Sequence, residues 1–241
     1  FPVAGFVFIV TLCRIPLADA ADILLVRNNP TSVQSLEDWL VSEGHAVTSE
    51  PRRDGVDDGD RAASSFDLVI VARETNSGAY DEGDEPQDWN ALAVPMISMA
   101  PHLMRNSRWG WMNGAGLGSG SLADFDAPVV NPFHPIVSGR STDLLDPAYA
   151  YDGASSSLHP ETVVVATINN GASHGVFVIP PGTPMYDSQG THAGDVRIGF
   201  IRGNEGSWAN VTSNGEQILA NMIDYALNYS LSTASVSNSP A

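Results

Sequence analysis

The chain contains no lysine and only one cysteine among its 241 residues. Its 11 basic residues are therefore all arginine, and 28 acidic residues give a formal net charge of −17. So acidic a surface repels nucleic acid and anionic membranes, which argues against a nucleic-acid-binding role. A GC-rich genome or a saline habitat would explain the same bias without any functional cause. Cys13 is the only cysteine, and we expect it to be removed with the N-terminal segment. The mature chain would then offer neither a disulfide nor a thiolate nucleophile.

Long hydrophobic runs are also lacking. Residues 3–12 are apolar but too few to span a bilayer comfortably. Small residues at the spacing that signal peptidase reads follow in Ala18-Asp19-Ala20. We therefore expect residues 1–20 to be a signal peptide, and the protein to be secreted or periplasmic with no membrane contact after cleavage. The segment lacks the basic residues with which signal peptides begin, so whether it is truncated stays open. Phe1 is typical of processed type IV pilins, but Gly5 stands where those proteins carry glutamate.

Short apolar runs that break abruptly into polar residues dominate the first half of the chain. Asp22 to Val26, Phe66 to Ala72 and Val94 to Met99 are typical of strands buried on both faces of a parallel sheet. Between the first two, the apolar residues of segment 33–40 fall at helical spacing, and Thr31 or Ser32 could cap that helix. This rhythm predicts an α/β fold of the flavodoxin-like, doubly wound type, with a mainly parallel sheet.

The second half of the chain changes character. Short strand candidates between residues 129 and 201, separated by Pro, Gly, Asn and Asp, predict an antiparallel C-terminal extension of the sheet. Residues 216–227 then form a closing helix. We expect one domain over residues 21–229 and a disordered Ser-rich tail over residues 230–241.

Polar residues follow the predicted strands at the points where the strands end. The carboxyl ends of parallel strands line the ligand crevice in open α/β sheets. Asn28, Glu74 and His102 are therefore expected to cluster at one end of the sheet, with Arg73 beside them as a ligand-binding residue. His134, in a His-Pro-Ile turn, either orders that turn by hydrogen bonding or faces a substrate; we favour the first interpretation.

Trp109 and Trp111 flank a glycine in a Gly-rich segment that we interpret as a surface loop. Two tryptophans would be costly to expose without a purpose. They either stack on a sugar or cover the open edge of the core, and we favour the core. The glycines of segment 114–120 resemble a phosphate cradle but lack a preceding apolar strand, so a mobile loop is the better interpretation.

Metal and cofactor motifs are absent from the sequence. The histidines show no His-x-x-x-His spacing, so we predict no transition-metal site and no cofactor. A cluster of aspartates could hold structural Ca²⁺ through oxygen ligands, although we favour a solvated acidic loop. The aspartates of this cluster are Asp54, Asp57, Asp58 and Asp60.

The order of these features resembles the ThuA-like (trehalose-utilisation) branch of the class I glutamine amidotransferase-like, flavodoxin-like superfamily. The resemblance covers roughly residues 22–228. It depends on the opening strand 23–26, on Phe66-Asp-Leu-Val-Ile-Val71, on Asn131-Pro-Phe-His-Pro-Ile-Val-Ser-Gly139, and on Arg197-Ile-Gly-Phe200 followed by an apolar helix.

The resemblance implies a carbohydrate-related context but not glutaminase chemistry. Amidotransferases place a cysteine nucleophile after the fourth strand, whereas this chain has Met99-Ala-Pro-His102 there. We therefore expect a non-catalytic binding or accessory module for a small polar molecule or a carbohydrate. The alternative is a hydrolase or other enzyme acting on a sugar-like substrate. In that enzyme Glu74 or Asp152 would be the base, and His102 or His134 would orient the substrate. The oligomeric state stays open.

Overall fold

The computed structural model describes residues 20–53, 55–120, 130–138, 151–154, 156–168, 172–187, 189–200 and 208–237. The expected signal peptide, up to residue 19, and Asp54 of the acidic cluster lie outside these residues. Processing at Ala20 therefore stays a prediction.

Three α-helices and eleven strands make up the described architecture. The helices are α1 (Pro30–Ser42), α2 (Glu85–Ala91) and α3 (Ser213–Ser237). The strands of the first half are β1 (Asp22–Val26), β2 (Ala46–Glu50), β3 (Leu68–Val71), β4 (Met96–Ser98), β5 (Met112–Asn113) and β6 (Leu117–Gly120). Those of the second half are β7 (Tyr151–Ala154), β8 (Ser157–Leu158), β9 (Val163–Ile168), β10 (Ser173–Ile179) and β11 (Arg197–Phe200).

The core of the fold is a run of five parallel strands in the order β2-β1-β3-β4-β11. Counted along the parallel strands, this is the 2-1-3-4-5 order of flavodoxin-like sheets. The chain moves from β1 to β2 in one direction and from β3 to β4 in the other. Because such crossovers are right-handed, α1 and α2 lie on opposite faces of the sheet. The predicted doubly wound α/β fold is confirmed.

The continuous apolar runs are explained by burial on both faces. Residues 23–26 of β1 and all of β3 are completely inaccessible to solvent. A strand covered on both sides cannot alternate apolar and polar residues, because every side chain enters a core. β2, at the edge of the sheet, is only half-buried and correspondingly more polar.

The antiparallel extension is also present. β10 pairs antiparallel with β11 on one side and with β9 on the other. In the described residues, β7 pairs with β10 through Ala154 and His174 alone. β7 lies on the same side of β10 as β11, past the carboxyl end of β11. β6 pairs antiparallel with β7, so the Gly-rich segment predicted as a mobile loop is in part an edge strand.

The helix ends differ from the sequence interpretation in two places. Helix α1 is capped by Asn29, whose side chain accepts from the Thr31 amide at 3.0 Å, rather than by Thr31 or Ser32. Pro30 then occupies the first helical position, where its missing N–H costs nothing. Helix α3 continues to Ser237, into the Ser-rich segment, because no proline or glycine follows Gly215 of its first turn before that point. Among the described helices none is both long and apolar enough to cross a membrane.

Candidate functional site

The loops that follow β1, β3 and β4 meet at one edge of the sheet. These strands are adjacent and parallel, so their carboxyl ends point the same way. The edge therefore carries the loops of Asn28, Glu74 and His102, and the clustering of their side chains stays a prediction. The order of strands reverses between β1 and β3, and a crevice opens at such a switch point because the flanking loops leave in opposite directions. We call this edge the switch-point crevice.

Arginines fix the β1–β2 side of the switch-point crevice. Arg27 donates from Nε to the Ser49 hydroxyl at 2.8 Å and from Nη2 to the Ser49 carbonyl at 2.9 Å. Asn28 Oδ1 accepts from Arg53 Nη2 at 2.7 Å. The amide of Asn28 is thereby oriented with its oxygen toward Arg53, which leaves the NH₂ group as the end available to a ligand.

The β3 side of the crevice is more deeply buried. Arg73 is 8% exposed and Thr75 is 4% exposed, while Glu74 between them is half-buried. Asn76 then caps a single 3-10 turn, Ser77–Ala79, by accepting from the Gly78 amide at 3.1 Å. The sequence Arg73-Glu74 therefore places a cation and an anion side by side at the switch point, in partly desolvated surroundings.

His102 is half-buried in the loop after β4. Its carbonyl accepts from Arg105 Nε at 2.9 Å, and Arg105 Nη2 donates to the Ser77 hydroxyl at 3.2 Å. Arg105 thus ties the β4 loop to the β3 loop and holds the two walls of the crevice together. Sequence reasoning missed Arg53 and Arg105, although the position of Arg53 after a strand was a usable signal.

His134 does not belong to this crevice. Its ring packs on Tyr225 of α3, with ring centroids 4.9 Å apart. Asp224, the residue before Tyr225, interacts electrostatically with His45, and His45 Nδ1 accepts from the Ala21 amide, immediately before β1. His134 therefore lies toward the amino ends of the parallel strands, opposite His102. His134 has the turn-ordering role that we favoured from the sequence. Its Nδ1 accepts from the Ile136 amide at 3.3 Å and caps the 3-10 turn Pro135–Val137.

The cap made by His134 predicts a pH-dependent stability. Burial lowers the pKa of His134 below its usual 6.5, and protonation would remove the Nδ1 lone pair that accepts from Ile136. The stabilisation is thus complete above the unfolded pKa and is lost as the pH falls through the lower folded pKa. We expect His134→Asn, which keeps a capping oxygen, to show a smaller loss of stability on acidification than the wild type. Urea denaturation at a series of pH values measures this.

The matched control for His134 is His192→Asn, which replaces an exposed histidine. His45 and His174, whose pKa values burial also lowers, remain in both variants, so part of the acid sensitivity persists. Equal pH slopes for His134→Asn and His192→Asn would contradict the prediction.

Asp152 is carried by β7, where it pairs with Ser119 of β6. Because β7 lies beyond the end of β11, its backbone is on the carboxyl side of the sheet, near β11 rather than beside β3. The four residues grouped from the sequence are therefore divided. Glu74 and His102 share the switch-point crevice, Asp152 lies on the β6–β7 pair, and His134 lies at the other end.

Trp109 and Trp111 are core residues, which is the alternative that we favoured from the sequence over sugar contact. Trp109 is 0% exposed and Trp111 is 1% exposed. Trp109 stacks on Trp89 at 5.5 Å between ring centroids. The indole of Trp109 donates to the Tyr80 carbonyl at 3.1 Å, and that of Trp111 to Asn90 Oδ1 at 3.0 Å. A ligand-binding role for Trp109 and Trp111 is therefore wrong, and their alternative role in covering the core is correct.

The Trp109–Trp111 segment is held in the core by the buried side-chain amide of Asn90. Its Nδ2 donates to the Trp109 carbonyl at 2.6 Å while its Oδ1 accepts from Trp111, so one side chain fixes both ends of the Trp-Gly-Trp segment. No spacing in the sequence connects Asn90 with this segment, and the sequence alone could not decide between surface and core.

The acidic cluster shows no cation-binding arrangement in the residues that the structure describes. No group of three or more His, Cys, Asp or Glu side chains there could hold a metal ion. Asp57, Asp58 and Asp60 are exposed or half-exposed in the loop after β2. The Ca²⁺ site considered from the sequence also includes Asp54, which lies outside the described residues, so it stays a hypothesis.

No protein-family model matches the chain, and no curated protein is similar enough in sequence to count as a relative.

Proposed function

We propose that this protein is a ThuA-like binding or accessory module that takes a small polar ligand, of the carbohydrate class, in the switch-point crevice. The observation that carries the proposal is the meeting of three polar loops at the reversal of strand order. Ligands bind outside the carboxyl ends of the strands at such points because backbone and side-chain groups converge there.

The chemistry of the crevice suits a hydroxylated ligand. An amide (Asn28), a carboxylate (Glu74) and a guanidinium (Arg73) follow the neighbouring strands β1 and β3. Hydroxyl groups both donate and accept, so paired donors and acceptors recognise them better than a site of one charge. The order of segments that resembles ThuA-like proteins supports the carbohydrate class.

Binding rather than catalysis is favoured by the turn after β4. That turn, Met99-Ala-Pro-His102, carries no nucleophile where a glutamine amidotransferase places its cysteine. The histidine that could have completed an acid–base set, His134, is committed to capping a turn at the opposite end of the sheet.

An enzyme acting on a sugar-like substrate is the second candidate. One observation favours it: Glu74 and His102 are both half-buried at the same edge of adjacent strands. In that case Glu74 would be the general base and His102 would orient the substrate, which requires both within hydrogen-bonding reach of one bound molecule. Hydrolysis of a nitrophenyl glycoside that is lost in both Glu74→Gln and His102→Asn would favour the enzyme.

The binding proposal predicts a selective effect of Glu74→Gln. We expect the affinity for glucose or glucose 6-phosphate, measured by NMR titration of the full chain, to fall about tenfold. The reason is that a hydrogen bond to a carboxylate is worth about 1.5–3 kcal/mol. The free energy of unfolding should change by no more than about 0.5 kcal/mol, because a strand-end carboxylate contributes little to the core.

Glu43→Gln provides the matched control, since Glu43 is exposed at the C-terminal end of α1, near His45 and the amino ends of the strands. It should bind like the wild type. Amide shifts confined to residues far from Asn28 and Glu74, or no response to either probe, would overturn the proposal. A response to glucose 6-phosphate alone would show that the ligand must carry a phosphate.

A further inference from the structure

A second concave surface lies between α3 and the 3-10 turn Pro135–Val137. Its volume is about 470 Å³, within the range of roughly 300–1,000 Å³ typical of small-ligand pockets. We call it the α3 groove. Five residues of α3 line it: Asn221, Asp224, Tyr225, Asn228 and Tyr229.

The spacing of these five residues shows that the groove is a separate face of the helix. They fall at i, i+3, i+4, i+7 and i+8, which is one continuous stripe of an α-helix. The stripe that packs on the sheet consists instead of Ile218, Leu219, Met222, Ile223 and Ala226, each at most 1% exposed. The groove stripe is polar and aromatic rather than aliphatic, and its two tyrosines are only partly buried where they pack against the core.

One wall of the α3 groove is built and held in place. Asn221 donates to the Ile136 carbonyl at 3.0 Å, and its Oδ1 accepts from Gln217 at 3.0 Å. His134 packs on the ring of Tyr225 from the same side. These contacts fix the 3-10 turn against the helix, so the groove keeps its shape without a ligand.

The other wall carries ring and polar surface one turn further along α3. The rings of Tyr225 and Tyr229 lie 5.6 Å apart at an angle of 49°. Asn228 is exposed and donates from Nδ2 to the Asp224 carbonyl at 2.8 Å, and Asp224, which also lines the groove, is half-buried. The aromatic rings give this surface an apolar part, and the neighbouring amide and carboxylate groups give it a part that forms hydrogen bonds.

We propose that the α3 groove binds a neutral hexopyranose, with its C–H face on Tyr225 and Tyr229 and its hydroxyl groups on Asp224 and Asn228. A pyranose has the same division between an apolar face and a rim of groups that donate and accept. Among the described residues that line the groove there is no lysine, arginine or histidine, and the carboxylate of Asp224 favours a neutral ligand over an anionic one.

This site does not depend on the function proposed for the switch-point crevice. Asp224 interacts with His45, beside the amino end of β1, whereas the crevice lies at the carboxyl ends of the strands. A sugar could occupy either site alone, and amide shifts would distinguish the two because they report on different ends of the sheet.

The test is a two-dimensional NMR titration of the full chain with glucose and with maltose at millimolar concentrations. We expect amide shifts in residues 221–229 of α3. The apparent affinity should fall about tenfold or more in Tyr229→Ala, which removes a stacking ring. Asn228→Leu should weaken binding too. Because residue 228 is exposed, this variant should fold normally and keeps the test valid if Tyr229→Ala misfolds.

Two controls separate this site from general effects. Tyr186→Ala removes another half-buried tyrosine, one whose ring contacts His159, and should leave the α3 shifts unchanged. Glu74→Gln should also leave them unchanged, so that failure of the crevice proposal would not affect this result. Absence of sugar-induced shifts in α3, or shifts that persist in both Tyr229→Ala and Asn228→Leu, would overturn the proposal. A response to tetramethylammonium without one to either sugar would overturn it in favour of a cation site.

Discussion

Arg197→Met should destabilise the protein by about 3–5 kcal/mol, because it removes the buried guanidinium that donates to several main-chain carbonyl groups. Arg197 is 0% exposed and lies in β11. Its guanidinium donates to the carbonyls of Val94 at 2.8 Å, Asn90 at 2.8 Å and Leu92 at 2.5 Å. These acceptors lie at and just after the C-terminal end of α2, where the helix leaves its last carbonyls unsatisfied. Chemical denaturation measures the effect.

The effect of Arg197→Met also depends on the cost of burying the positive charge of Arg197. Burial lowers the pKa of its guanidinium to about 10, which means that the folded protein bears a cost for keeping the cation inside. The negative end of the α2 dipole and the carbonyl groups compensate this cost. If Arg197→Met were as stable as the wild type, the cost of the buried charge would equal or exceed the value of its hydrogen bonds.

Arg61→Met is the matched control, because it removes the same side chain from the surface. Arg61 pairs with Asp22 at 2.8 Å, with side chains that are 45% and 35% exposed. Exposed ion pairs contribute no more than about 1 kcal/mol. Arg197→Lys should fall between the wild type and Arg197→Met, since an ammonium group cannot span the carbonyls that a guanidinium fork reaches.

Gly110→Ala should cost about 2–5 kcal/mol, as the sum of an unfavourable backbone conformation and a steric overlap. Gly110 has φ = +67°, and a Cβ atom there would lie 2.3 Å from the Asp187 amide nitrogen. The Gly110 carbonyl also accepts from the Tyr186 amide at 2.7 Å, so the two segments cannot separate without losing that bond. Thermal or urea denaturation measures the loss.

Gly182→Ala isolates the conformational part of this cost. Gly182 has φ = +79°, and a Cβ atom there would have no neighbour within 4 Å. Only the left-handed backbone is therefore penalised, by about 1–2 kcal/mol. The difference between the two variants is the steric contribution at the Trp109–Trp111 segment. Equal losses in Gly110→Ala and Gly182→Ala would show that the segment moves away easily and that the packing around it is loose.

The strand ends could be predicted because they depend on local sequence. An apolar run that stops at Arg27-Asn28 or at Arg73-Glu74 marks both a buried strand and the point where the chain leaves the sheet. Adjacent parallel strands then bring these polar residues to one edge, whatever the details of packing. The loops with Asn28, Glu74 and His102 follow parallel strands to the same edge for this reason, and the clustering of their side chains stays a prediction.

The enzyme alternative grouped His134 with the residues at the strand ends, whereas the structure places it toward the amino ends of the parallel strands. A residue on a connection between strands can return to either end of the sheet, and its sequence neighbours do not determine which. Packing of the His134 ring on Tyr225, 91 positions further along the chain, places it toward the amino ends. Contacts of such long range leave no local pattern.

What the sequence determined by itself is the layer structure: continuous apolar strands, an amphipathic α1, and a mainly parallel α/β sheet with an antiparallel extension. These follow from burial periodicity, which each segment carries within itself. Only the tertiary structure decided which polar and aromatic residues turn inward. Trp109 and Trp111 became core residues because Asn90 satisfies the segment around them, and Arg197 became a buried clamp because α2 ends beside it. Buried polar groups need partners from distant segments, and that pairing exists only once the chain has folded.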